Sequence, residues 1–124
     1  MDESKQNPER RLYKRINSDI VIKVEEMTSE AGSKLACSKN ISLGGVLFEY
    51  NKSFPISTVL NLELRIPQIG KRLDTYAKVV RVNELFPGRL YDIAVRFVSL
   101  DDESKKLLEK YISNSWWQIA EVSS

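Results

Sequence analysis

Leu60-Asn61-Leu62-Glu63-Leu64-Arg65-Ile66 alternates without a break, with four aliphatic side chains at even positions and three polar ones at odd positions. Successive side chains of a strand point to opposite faces, so this run makes one apolar and one wetted face, a half-buried β-strand. The same period spreads outward from it. Ile20, Ile22 and Val24 alternate with Val21, Lys23 and Glu25. Further strand-like stretches lie at 34–39, 46–50, 75–83 and 90–98. Turn-forming residues punctuate them: Ala31-Gly32-Ser33, the stretch 51–57 with Pro55, the stretch 67–71 with Gly70, and Phe86-Pro87-Gly88. Six short strands with polar outer faces suggest a small closed or nearly closed antiparallel barrel, which would also remove exposed strand edges.

Towards the C-terminus the period changes. Leu108, Tyr111, Ile112, Ser115 and Trp116 follow helical spacing and form an apolar stripe wide enough to dock on a barrel. Ser99 with Asp102 reads as an N-terminal capping pair, and Asp101, Asp102 and Glu103 suit the positive end of the helix dipole. The periodicity therefore gives an all-β chain with one C-terminal helix. The expected organisation is a polar tail at 1–8 and a domain at 9–118, followed by a short tail at 119–124. Within the domain, a basic arm (9–15) leads into a barrel (18–98) and a helix (100–117). There is no internal repeat or linker.

Length and composition bound the function. A chain of 124 residues suits one domain, and 42% hydrophobic with 29% charged residues is ordinary for a globular protein. A net charge of +2 gives no case for general nucleic-acid or membrane binding. No apolar run approaches a membrane span, and Met1-Asp2-Glu3-Ser4-Lys5 has no signal-peptide pattern. One cysteine, Cys37, precludes an intramolecular disulfide and fits a reducing compartment, so the cytoplasm is the expected location. Cys37 itself reads as a small strand residue. Histidine is absent, which removes Ser–His and Cys–His nucleophile pairs and the usual mixed zinc ligands. Glu25 and Glu26 are adjacent on a strand and point apart, and no phosphate-binding GxxxxGK loop is present. The residues argue for a binding module without cofactor or metal, not for an enzyme.

Two polar motifs carry the binding chemistry. Arg11-Leu12-Tyr13-Lys14-Arg15 sets two guanidinium forks four residues apart ahead of the first strand, with Arg10 directly before them. Asn40-Ile41-Ser42-Leu43-Gly44-Gly45 places an amide, a hydroxyl and glycines at a sharp junction between strands. Guanidinium forks bind phosphate and the O6/N7 edge of guanine in bidentate fashion, which the point charge of Lys14 reproduces poorly. The amide and hydroxyl can satisfy a remaining polar edge, and glycine admits close backbone approach. Each motif has a plain structural reading as well: a solvated basic arm, and a turn whose Asn and Ser bond their own backbone while the glycines mark a barrel corner.

RxxxR (Arg11, Arg15) followed by NxSxxG (Asn40, Ser42, Gly45) resembles the signature of PilZ domains, bacterial receptors for the second messenger cyclic di-GMP. The resemblance extends from about Glu9 to Tyr111 and includes the late strand Tyr91-Asp92-Ile93-Ala94-Val95-Arg96-Phe97. Many members carry Asp where this chain has Asn40, which accepts through one uncharged oxygen only. The resemblance implies a six-stranded antiparallel barrel with a flanking helix. It implies cyclic di-GMP as ligand, held by Arg10, Arg11, Arg15, Asn40, Ser42 and Gly45. An arginine at position 10 implies two mutually intercalated ligand molecules per chain. With no output domain, the chain would signal by ordering its arm and altering a protein partner, without nucleic acid or membrane insertion. Two readings compete: a small barrel that binds single-stranded nucleic acid, and a PilZ relative that acts only through protein contacts. Of the terminal tryptophans, Trp116 suits the core and Trp117 a partner contact.

Overall fold

The computed structural model describes residues 16–17, 20–27 and 32–123, with side chains for 20–27 and 32–113. The tail 1–8, the arm 9–15 with Arg10, Arg11 and Arg15, and the side chains of Trp116 and Trp117 lie outside the described residues.

Six strands close into an antiparallel barrel. They are β2 (Val21–Glu26), β3 (Ser33–Ile41), β4 (Gly45–Tyr50), β5 (Val59–Ile66), β6 (Lys71–Phe86) and β7 (Leu90–Phe97), preceded by the two-residue β1 (Ile16–Asn17). Around the barrel the order is β3-β2-β5-β6-β7-β4, and β4 returns to β3 to complete it, while β1 lies on the outer flank of β3. The alternation in β5 is realised as expected, with Leu60, Leu62, Leu64 and Ile66 buried and the intervening polar residues on the outer wall. Ile22, Val24, Phe48, Leu73, Val79 and Ile93 fill the interior beside them.

Two strands are shared between the halves of the barrel, and a bulge marks each corner. β6 runs 16 residues, beyond the expected 75–83. Its residues 71–78 pair with β5 and 77–86 with β7, and the register shifts between Val79 and Arg81. β3 bonds β2 through 33–37 and β4 through 38–41, with a shift between Ser38 and Asn40. An extra residue at each point bends and twists the strand, which lets one strand turn the corner. At the β6–β7 reversal Pro87 precedes Gly88 (φ +69°), and Arg89 N–H donates to the Phe86 carbonyl at 2.9 Å. A left-handed residue after proline is the pattern of a type II turn.

The helix α1 (Asp102–Ser123) extends past the expected end at 117, because 118–123 contain no glycine or proline to stop it. Leu108 and Ile112 enter the core, and Leu107 and Tyr111 pack against it. The cap differs from the Ser99–Asp102 pair expected. Asp101 is the capping residue: its Oδ1 accepts the Ser104 N–H at 2.7 Å, and its carbonyl accepts the Lys105 N–H at 2.8 Å. Ser99 instead ties the last strand turn to β6, its Oγ accepting the Tyr76 N–H at 2.8 Å. The hydrogen bonds from Ser104 hold the Asp101 carboxyl below the usual carboxylate range.

Candidate functional site

The junction between β3 and β4 holds the second motif. Asn40 follows the Lys39 bulge, half-buried, between Leu47 of β4 and Asn17 of β1. Its carboxamide has no hydrogen-bond partner among the described residues. The turn then closes through Ser42, whose N–H donates to the Gly45 carbonyl at 2.9 Å. Ser42 is buried, and its Oγ accepts the N–H groups of Gly44 (3.1 Å) and Gly45 (3.3 Å). The hydroxyl thus organises the loop, which is the plain structural reading of this residue.

Gly45 has a structural reason of its own. A Cβ there would overlap the Val95 carbonyl oxygen and stand 3.2 Å from Arg96 Cα, because β4 and β7 approach closely at this point. Glycine is required by the sheet whether or not a ligand also comes near.

The first motif enters through β1. Ile16 pairs with Ile41 and Asn17 with Asn40, so the backbone just after Arg15 is bonded to the strand that carries the second motif.

The sequence reading missed a group of cations on the outer wall beside Gly45. Gly45 faces Arg96 across β4–β7, and Arg96 faces Lys78 across β7–β6. Arg81 lies one row further, opposite Ala94. Arg96 and Arg81 are exposed, and none of the three forms an ion pair among the described residues. Arg96 lies within the strand quoted above, but only the β4–β7 pairing, some fifty residues apart in sequence, sets it beside Gly45. Lys39, by contrast, is engaged: its ammonium contacts both Asp92 oxygens at 3.0 and 3.1 Å and Glu49 at 3.5 Å. The hydrogen bond to Asp92 lifts its pKa, against the opposing effect of desolvation.

Elsewhere the outer wall is mixed in charge. Glu63 on β5 is ringed by Arg72 (3.1 Å), Arg65 (3.2 Å) and Lys23 (3.6 Å). Desolvation pushes its carboxyl pKa up, but the Arg65 hydrogen bond and the surrounding charges outweigh that and hold it below the usual range. Among the described residues no group of His, Cys, Asp or Glu could hold a metal ion, and no helix is long and apolar enough to cross a membrane.

The barrel thus closes on six strands with one helix packed against it, a polar junction loop at β3–β4 and, among the described residues, cations without an ion pair on the wall beside that loop. The chain matches the PilZ domain over residues 9–114 and belongs to that family. No curated protein matches it. Among solved structures, the Bacillus subtilis inhibitor of motility MotI/DgrA aligns with TM-score 0.75 at 20% identity, covering 88% of this chain and 52% of that one. The PilZ domain of Escherichia coli YcgR with c-di-GMP aligns at 0.69 and 14% identity, covering 92% and 97%. The K. pneumonia MrkH–c-di-GMP complex aligns at 0.75 and 17% identity, covering 93% and 56%. The chain therefore spans about half the length of MotI and MrkH and nearly all of the isolated YcgR domain.

Proposed function

We propose that this chain is a cyclic di-GMP receptor that works by binding, not catalysis, and that its RxxxR and NxSxxG motifs form one site. The observation that supports the reading is the β1–β3 register, which bonds Ile16 and Asn17, the residues that follow RxxxR, to the strand bearing Asn40. Cyclic di-GMP has two phosphodiester charges and two guanines. Arg11 and Arg15 would meet phosphate and guanine edges, each charge-assisted bond contributing about 1.5–3 kcal/mol. Asn40, with its free carboxamide, would accept from a guanine N–H edge. Ser42 would act by fixing the loop and Gly45 by permitting close strand approach. Arg96 and Lys78 extend the proposed site, since unpaired cations there offset the charge of additional phosphates. That supports two intercalated ligands, with Arg10 stacking on a guanine face.

Ligand binding would draw the arm onto the barrel wall and create a composite surface for a protein partner, in a cytoplasmic setting. The outer wall disfavours the nucleic-acid alternative: Phe48 and Tyr50 are buried, the exposed Tyr76 and Phe86 stand ten residues apart on β6, and carboxylates such as Glu63 and Asp92 interrupt the basic residues. Bases need exposed aromatics along a continuous basic groove.

Calorimetric titration tests the proposal. Cyclic di-GMP should bind at two per chain and a short single-stranded oligonucleotide should not. Arg11→Ala or Arg15→Ala should each weaken binding more than about a hundredfold, from roughly 3–6 kcal/mol of lost bonds. Unchanged affinity in both variants would reject the site. A one-to-one titration would reject only the intercalated pair, which Arg10→Leu should in any case shift towards one.

A further inference from the structure

The side chains of β3 alternate between core and wall as far as Ser38 and then break step. Ala36 and Ser38 are buried with Cys37 exposed between them, but two residues, exposed Lys39 and half-buried Asn40, precede the next core residue, Ile41. The cause is the bulge: Ser38 pairs with Phe48 and Asn40 with Leu47, which leaves Lys39 as the extra residue. In an unbroken strand Asn40 would point into the barrel and Ile41 to solvent, because a slip of one residue exchanges the two faces. Presentation of the Asn40 carboxamide on the wall therefore depends on the backbone at Lys39.

The extra residue of a bulge is left unpaired in the ladder, so its conformation leans on what its side chain touches. The Lys39 side chain reaches over β4 to β7. Its ammonium donates to both Asp92 oxygens at 3.0 and 3.1 Å and lies 3.5 Å from Glu49. Glu49 and Asp92 face each other across β4–β7, and the ammonium offsets the repulsion of two like charges placed opposite one another. The Asp92 side chain is only 14% exposed, and three charges act together, so this is more than an isolated surface pair. We infer that Lys39 is a positioning residue for the ligand site: clasped by Asp92 and Glu49, it fixes the bulge that turns Asn40 outward. The inference rests on the cyclic di-GMP reading above and adds to it three residues that belong to neither motif.

Calorimetric titration with cyclic di-GMP tests the clasp. Lys39→Met should weaken binding about fivefold, the upper end for an exposed ion pair. Loss of a positive charge near an anionic ligand would act in the same direction. Asp92→Ala combined with Glu49→Ala separates the two causes. It removes two negative charges, so plain electrostatics would tighten binding, whereas release of the clasp should weaken it about fivefold. Lys39→Glu combined with Asp92→Lys should regain most of the affinity, since the lysine at 92 then faces carboxylates at 39 and 49. In an Asn40→Ala background Lys39→Met should cost nothing further, which a general loss of stability would not produce. Without ligand, the Asn40 carboxamide resonances should shift in Lys39→Met and those of Asn61 on β5 should not. Wild-type affinity in Lys39→Met, tighter binding by the doubly neutralised chain, or an equal loss with and without Asn40 would each overturn the inference and leave the receptor reading in place. A wild-type chain that fails to bind cyclic di-GMP would overturn both.

Discussion

Gly45 and Ser42 sit five residues or fewer from Asn40, yet the three fail in different ways when changed. Gly45→Ala forces β4 away from the Val95 carbonyl, and overpacking of this kind costs about 1–3 kcal/mol. Urea unfolding should show the loss without any ligand present, and affinity of the folded fraction should fall as well. Ser42→Ala strips the acceptor from two loop N–H groups, at about 0.5–1.5 kcal/mol each. Its cost should appear as a loosened 42–45 loop in amide exchange together with weaker binding. Asn40→Asp should leave the melting temperature nearly unchanged and bind cyclic di-GMP at least as tightly, since a carboxylate accepts guanine N–H bonds better than an amide. Much weaker binding with the fold intact would show that Asn40 does not face a guanine edge. The motif letters were legible in the sequence, but the division of labour was not. It depends on where β7 passes, and nothing between positions 40 and 45 encodes that.

Strand β5 could be read directly because each of its residues declares a face. β6 could not, because its first residues, Lys71-Arg72-Leu73-Asp74, look like turn and its length depends on serving two partners. The Val80 bulge is what makes that service possible, which separates two variants. Val80→Thr changes an exposed side chain and should alter stability by less than about 0.5 kcal/mol. Deletion of Val80 leaves an unbroken register with β7, Val79–Val95 followed by Arg81–Ala94, but removes the extra residue that bends β6 at the corner, and should lower the melting temperature far more than Val80→Thr does. The helix cap was misread by two positions because several acidic and hydroxyl residues crowd 99–104, and only backbone geometry separates them. Asp101 gives this cap a pH signature. Its pKa is lowered in the fold, so its contribution is complete above the ordinary carboxylate range and is lost as the pH falls through the lowered value. Asp101→Ala should therefore melt several degrees below wild type at neutral pH, with the gap closing in acid. Asp101→Asn should retain most of the cap and show little of that pH dependence.

At the scale of the whole molecule, the proposed signal predicts that residues 9–15 exchange amide protons freely without ligand and become protected at saturating cyclic di-GMP. Equal protection in both states would point to a preformed pocket and another route of output. The six-strand count and the flanking helix were legible because each element is a local pattern. The order around the barrel was not, since barrel closure depends on pairings such as Val21–Arg65 and Gly45–Arg96 between distant segments. Those pairings also impose a timetable. The arm, Asn40 and the Ser42 turn leave a ribosome early, while the strand that walls Gly45 follows some fifty residues later. A nascent chain halted at the β6–β7 turn would carry both motifs in full and still lack the strand on which Gly45 packs, so under the proposed function the messenger would be sensed only by a finished barrel.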